Sequence, residues 1–272
     1  MNDEKKSPLE RRPLHPIADD EVRTTRDLAF AGSTGAQLAF DVYSPRVVEG
    51  TLPAIVIVTG YRDPGFAAAF GARFKDMEWT RGWASLFAAA GIVAFTYTNE
   101  NVVDDFERVL QTIRTRAAEW HVDPERVGIF AVSGHVPVAL RAMFTDFACA
   151  PRCAIFAYGY MLDLDGATAT ADAAKIFRFQ NACEGRSMAN YRDDVPLLVA
   201  RAANDEMPGL NATIDAFATA AIARGAALTL VNIPRAPHAF DVVFDHPQTP
   251  MTIDLILQFA AIQLGAASSR VT

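Results

Sequence analysis

The chain has 272 residues, 51% of them hydrophobic and 21% charged, with a formal net charge of −7. That length and balance suit one large globular domain with a substantial core. They exclude a general binder of nucleic acid or of anionic membranes, because both need a basic face.

The three cysteines, Cys149, Cys153 and Cys183, form an odd set, so no fully paired disulfide framework is possible. The first two are spaced for neither a zinc ribbon nor a redox pair, and all three read as buried thiols. The opening Met-Asn-Asp-Glu-Lys-Lys-Ser-Pro has no apolar signal core, and no run reaches the ~18 apolar residues of a membrane span. The expectation is a cytoplasmic protein with no membrane and no nucleic-acid partner.

Residues 1–20 are charged and carry Pro8, Pro13 and Pro16, which predicts a flexible tail or a strap over the surface. Residues 21–268 read as a single domain. Arg26–Ala31 and Ala36–Tyr43 predict two strands joined by a Gly32-Ser33-Thr34-Gly35 turn. Ala54–Thr59 is a continuous apolar run typical of a strand covered on both faces, and Gly60–Phe66 follows as a loop. Thr80–Ala90 predicts a helix stopped by Gly91, Ile92–Tyr97 a strand, and Asp104–His121 a helix.

A strand from Val127 to Val132 ends abruptly at Ser133, and helix-compatible residues follow at once. Cys153–Tyr158 predicts a further strand. Gly159–Asp194 breaks the rhythm and is the candidate lid or pocket wall, with Met161, Leu162, Phe177 and Phe179 as its apolar members. Pro196–Arg201 and Leu228–Ile233 predict strands, Leu210–Arg224 and Thr249–Leu264 helices. Alternating strands and helices require crossovers between parallel strands, so the fold class is α/β, a mostly parallel sheet with helices on both faces. A dinucleotide-binding fold shares the rhythm, yet neither Gly-x-Gly-x-x-Gly nor Gly-x-x-x-x-Gly-Lys is present.

The chemistry-bearing positions lie just past strand ends, where open parallel sheets place their crevice. A sharp strand-to-helix turn exposes the Ser133 hydroxyl, although a serine at such a place also serves as a helix cap. Asp205 follows the 196–201 strand, and His238 follows the 228–233 strand. The order serine, acid, histidine is that of an elbow-type hydrolase. His238 would take the serine proton and Asp205 would hold the imidazole in the right tautomer. Glu206, Asp193 and Asp194 compete for the acid role, and His246 for the base.

On these residues the chain resembles the α/β-hydrolase superfamily, within it the dienelactone-hydrolase-like and small serine carboxylesterase branch. Ala131-Val132-Ser133-Gly134-His135 is similar to the elbow Gly-x-Ser-x-Gly, and Asp123-Pro124-Glu125-Arg126-Val127-Gly128 to the usual lead-in. Ala236-Pro237-His238-Ala239-Phe240 resembles the segment that presents the catalytic histidine. Three departures stand out. Neither Ala131 nor His135 is glycine, the nucleophile is serine where dienelactone hydrolases use cysteine, and Thr59-Gly60-Tyr61 replaces His-Gly-Gly.

The resemblance implies an α/β-hydrolase fold, an acyl-enzyme on Ser133, and a small-molecule ester as substrate, with no metal and no cofactor. Backbone N–H groups of Gly134 and Tyr61 would form the oxyanion hole, with the Tyr61 hydroxyl as a further candidate donor. Gly60 would permit the close approach, and Phe66, His135, Tyr160, Trp79 and Trp83 are candidates for the substrate pocket. Acyl transfer, peptide hydrolysis, or a binding role on the same scaffold with its chemistry lost remain alternatives. Oligomeric state leaves little mark on a sequence, and a homodimer is carried as an option.

Overall fold

The computed structural model describes residues 7–266. Eight strands form one sheet: β1 (Val22–Ala31), β2 (Gln37–Pro45), β3 (Leu52–Ile57), β4 (Val93–Tyr97), β5 (Val122–Val132), β6 (Ala154–Ala157), β7 (Leu197–Ala202) and β8 (Leu228–Ile233). Across the sheet they run β1-β2-β4-β3-β5-β6-β7-β8. The β1–β2 and β2–β4 pairs are antiparallel and every other pair is parallel. The short turn at Gly32–Ala36, with Gly35 at φ 84°, can only fold a strand back on its neighbour.

Eight helices make the crossovers and flanks: α1 (Asp63–Phe70), α2 (Glu78–Ala89), α3 (Val102–Thr115), α4 (Val136–Arg141), α5 (Ala169–Phe177), α6 (Leu210–Ala223), α7 (Phe240–Val243) and α8 (Gln248–Leu264). The sheet divides the core in two. Ile129 and Ala131 of β5 pack with α3, α4 and α6, whereas Phe130 and Val132 pack with α2 and α8 on the opposite face. Successive strand residues point to opposite faces, and with helices on both sides each face must be apolar. That is why the central strands read as unbroken apolar runs.

Most expected elements are present, with ends moved by a few residues. The helix expected over Asp104–His121 ends at Thr115 and gives way to a 3-10 turn over Ala117–Trp120. Three helices were not foreseen, among them the one-turn α7 after His238. The loop after β3 contains α1, which starts with Pro64 in its first turn, where the missing N–H is harmless, and stops at Gly71 with φ 79°. The 159–194 segment contains α5.

Residues 7–20 form a strap rather than a loose tail. Pro13 is buried against α2, and the Leu14 N–H donates to the Asp241 carbonyl at 2.7 Å. Residues 1–6 of the expected tail, and 267–268 of the expected domain, lie outside the described residues. Among the described residues no helix is long and apolar enough to cross a membrane.

Candidate active site

Strand β5 delivers Ser133 at φ 52°, a left-handed conformation that a non-glycine residue holds only when its surroundings enforce it. A 3-10 turn over Ser133–His135 then leads into α4. The glycines missing at 131 and 135 are replaced by glycines on neighbouring segments. A Cβ on Gly60 would sit 2.3 Å from the Gly134 carbonyl oxygen and 2.7 Å from His135 Cα. A Cβ on Gly159 would sit 2.1 Å from a Val136 methyl. The turn therefore packs tightly by stripping side chains from what it touches.

His135 is accommodated by turning into the aromatic side of the core. Its ring stacks on Phe74 at 4.2 Å, and Nδ1 accepts the Gly60 N–H at 2.8 Å. A nitrogen that accepts carries no proton, so the ring is the neutral Nε2–H tautomer. Burial pushes its pKa down to about 3.

The other two groups arrive from the adjacent strands β7 and β8. Hydrogen bonds continue past the strand ends, Ala203 N–H to the Ile233 carbonyl at 3.1 Å and Asn204 N–H to the Ala236 carbonyl at 2.9 Å. They bring the two loops side by side. His238 Nε2 lies 2.9 Å from Ser133 Oγ, and its Nδ1 lies 2.8 Å from Asp205 Oδ2. The carboxylate accepts, so Nδ1 carries the proton and Nε2 is free to accept from the serine. Asp205 Oδ1 accepts the Met207 N–H at 2.9 Å, and the side chain is fully buried.

The rival candidates are occupied or lie elsewhere. Asp193 pairs with Arg224, Asp194 and Glu206 are exposed, and His246 stacks on Phe244.

The expected oxyanion segment is divided. The Gly60 N–H is spent on His135 and the Gly60 carbonyl accepts from Gln180, so Gly60 is a spacer rather than a substrate contact. The Tyr61 N–H has only a long 3.4 Å contact with Thr59 Oγ1. Gly134 lies between the Phe179 ring and the Tyr61 hydroxyl, which a Cβ on Gly134 would approach to 2.9 Å. Burial pushes the Tyr61 phenol up to about 12, so it keeps its proton as a donor at neutral pH.

A cavity of about 190 Å³ opens beside Ser133 and His238. Its lining combines the rings of Tyr61, Phe66, Phe70 and Trp79 with Val132, His135, Tyr158 and Ala239 and with Ser7, Pro8 and Leu9. A larger depression of about 340 Å³ is lined by Thr34, Arg62, Glu100, Asn101, Val102 and Gln180 and does not include Ser133, Asp205 or His238.

Tyr160 is not among the residues lining the cavity beside Ser133. It belongs to the opposite core face, stacks on Phe179 at 5.4 Å, and donates its hydroxyl to the Pro208 carbonyl. Met161 and Leu162 are buried in that core, Phe177 is exposed, and Trp83 sits behind Trp79.

Tyr158, which sequence reasoning passed over, is the residue of this strand end that faces the cavity. Its ring meets the His238 ring edge-on at 5.1 Å. A buried hub holds it there. Asp241 accepts from Tyr158 Oη at 2.7 Å, Trp79 Nε1 at 2.7 Å and Trp83 Nε1 at 2.8 Å. Tyr158 reaches this face because its backbone turns left-handed at φ 37° and breaks the strand's alternation, which would have placed it with Ala154 and Phe156 on the other side, so nothing local marks it, Asp241 or the 7–9 wall.

Among the described residues no group of three or more His, Cys, Asp or Glu side chains is placed to hold a metal ion. No family model and no curated protein matches the chain in sequence. Solved structures do match in shape. Brefeldin A esterase, a bacterial homologue of human hormone-sensitive lipase, aligns over 96% of this chain and 82% of its own, with a TM-score of 0.68 at 18% identity.

This chain has the α/β-hydrolase fold. A bacterial heroin esterase aligns over 93% of the chain and 87% of its own at TM-score 0.68 and 14% identity. The hyperthermophilic esterase of Pyrobaculum calidifontis covers 93% and 88% at 0.68 and 18%. At such identities the likeness is one of fold, and fold alone does not carry function.

Proposed function

We propose that the protein is a serine carboxylic-ester hydrolase working through an acyl-enzyme on Ser133. The observation that carries this reading is the hydrogen-bonded chain Ser133–His238–Asp205 opening onto an apolar cavity. As a substrate carbonyl approaches, His238 Nε2 takes the Ser133 proton and Oγ attacks the carbonyl carbon. The imidazolium that forms is stabilised by Asp205. The carbonyl oxygen becomes an oxyanion against the Gly134 and Tyr61 N–H groups, joined by the Tyr61 hydroxyl. Collapse expels the alcohol, which takes the proton back from His238. Water then repeats the sequence with His238 as base, releasing the acid and restoring Ser133.

Esterases among the solved structures of the same fold support an ester over other acyl substrates. The alternative of a binding protein drew on Ala131 and His135, and Gly60 and Gly159 supply the clearance those residues withhold. The Asp123–Arg126 lead-in supports a place near the dienelactone-hydrolase-like small esterases, although the serine nucleophile separates this chain from the cysteine enzymes. Three buried free thiols support a reducing, cytoplasmic setting.

Hydrolysis of p-nitrophenyl esters by the protein and by Ser133→Ala tests the reading. The expected result is turnover that Ser133→Ala abolishes, with free acid rather than a transacylated acceptor as product. Turnover that survives the substitution, or cleavage of peptides in preference to esters, would overturn it.

A further inference from the structure

The cavity beside Ser133 has one wall that belongs to neither the sheet nor its flanking helices. Ser7, Pro8 and Leu9 line it, far in sequence from every other lining residue. This is a built piece of structure. Pro8–Glu10 form a 3-10 turn closed by a capping box, in which Glu10 Oε2 accepts the Ser7 N–H at 2.8 Å and Ser7 Oγ accepts the Leu9 N–H at 3.4 Å. Leu9 packs on the core face that holds Trp79 and Phe66.

The residues that follow are anchored to three helices around the site. Pro13 fills the space a side chain would need at Gly82 in α2, since a Cβ there would lie 2.5 Å from the proline ring. The Leu14 N–H donates to the Asp241 carbonyl of α7, and His15 Nε2 lies 2.8 Å from Asp254 of α8. Asp241 also holds Trp79 and Tyr158, so wall and strap share one anchor.

We infer that this N-terminal strap is the specificity-determining wall of the cavity, with Leu9 as the residue that limits the length of the ester group bound there. The inference rests on the ester-hydrolase reading above. With the strap in place the cavity holds about 190 Å³, below the ~300–1,000 Å³ usual for drug-sized ligands. Among the described residues that line it none is Asp, Glu, Lys or Arg. The matching substrate is an uncharged ester with a short aliphatic or small aromatic group. Because Leu9 stands on the strap and not on the catalytic strands, trimming it lengthens the cavity without moving Ser133, Asp205 or His238.

The test compares kcat/KM for p-nitrophenyl acetate, butyrate, hexanoate and octanoate in the native protein, Leu9→Ala and Leu9→Trp. Thermal unfolding of each variant is measured beside the kinetics. The native protein is expected to prefer the short esters. Leu9→Ala should raise the octanoate-to-acetate ratio by about tenfold or more, and Leu9→Trp should lower it, since a methylene of fit is worth ~10–200-fold. An unchanged ratio in both folded variants would overturn the inference while leaving the hydrolase reading intact.

If no ester is turned over by any variant, the hydrolase reading fails, and acrylamide quenching of indole fluorescence decides the strap by itself. Trp79 lies in the cavity wall and is 1% exposed. Removing the Leu9 side chain should increase its quenching. Equal quenching in the native protein and Leu9→Ala would show that residues 7–9 do not close the cavity. Should Leu9→Ala fail to fold, Leu9→Val carries the same two read-outs.

Discussion

Ser133, Asp205 and His238 stand just past the ends of β5, β7 and β8, and the backbone hydrogen bonds of the sheet and its adjoining loops fix where each one sits. Around the same cavity, Phe66, Phe70 and Trp79 are held by ring contacts of 4.6 to 5.9 Å, and Leu9 by a strap. The first side has its geometry set by backbone and tolerates little change in atom position. The second is set by side-chain volume and accepts substitution so long as the space stays filled. Changes on the catalytic side should therefore appear in kcat, and changes on the wall in substrate choice or stability.

The largest effect is expected at the nucleophile. Ser133→Ala should lower kcat by ~10³–10⁶-fold with the fold unchanged by circular dichroism. His238→Ala should do comparable damage, whereas His246→Ala, remote on Phe244, should stay within a few-fold of the native rate. If the two histidine variants exchange behaviour, the base has been misassigned.

Wall architecture should respond in stability first. Asp241→Ala strands two buried indole N–H groups and a phenol, each worth ~1–3 kcal/mol when left unpaired. A clear loss in urea midpoint is expected, partly restored in Asp241→Asn, which keeps an acceptor for the indoles. A midpoint unmoved in Asp241→Ala would mean the hub does not hold the wall.

His135 joins the two sides and gives a pH signature. Its folded pKa of about 3 lies below the ordinary ~6.5 of an unfolded histidine. Between these values the unfolded chain binds a proton that the folded chain refuses, so stability falls as the pH drops. The full loss is on the order of 5 kcal/mol, most of it reached by pH ~3. His135→Asn keeps an acceptor for the Gly60 N–H and cannot titrate. It should flatten the stability slope between pH ~6.5 and ~4. A slope identical to the native one would remove His135 as its cause.

Gly60→Ala is expected to be milder but mixed. Its Cβ would press on the Gly134 carbonyl, a backbone atom, and overpacking of this kind costs about 1–3 kcal/mol. Because Gly134 and Tyr61 are the proposed oxyanion donors, kcat should drop more than KM changes. A change in KM alone would place Gly60 among substrate contacts after all.

The Ser133–Asp205–His238 side was legible in the sequence because Ser133 and Asp205 follow apolar runs typical of buried strands and His238 follows a strand, β8, at the sheet's half-exposed edge. Leu228–Ile233 matches β8 residue for residue, and Asp205 and His238 sit where those runs stop. The wall was not legible, for three physical reasons. Asp63-Pro64-Gly65 reads as a turn, yet proline and an acid are also good first-turn residues, and α1 begins there. Tyr160 looked like a pocket residue, but core packing placed it on the far face and left Tyr158 as the ring beside His238. Leu9 meets the site only through contacts more than fifty residues distant in sequence, which no local pattern encodes. The Asp123–Arg126 pair that carried the resemblance proves structural, with Arg126 bonded to Asp123 and to the carbonyls of Thr51 and Gly265.

Labelling with a fluorophosphonate probe, followed by mass mapping of the modified peptide, tests most directly whether Ser133 is activated by His238 and Asp205. The expected result is a single adduct on Ser133 in the native protein, lost in His238→Ala and strongly slowed in Asp205→Asn. No adduct in the native protein, or an adduct on another residue that persists in His238→Ala, would contradict it.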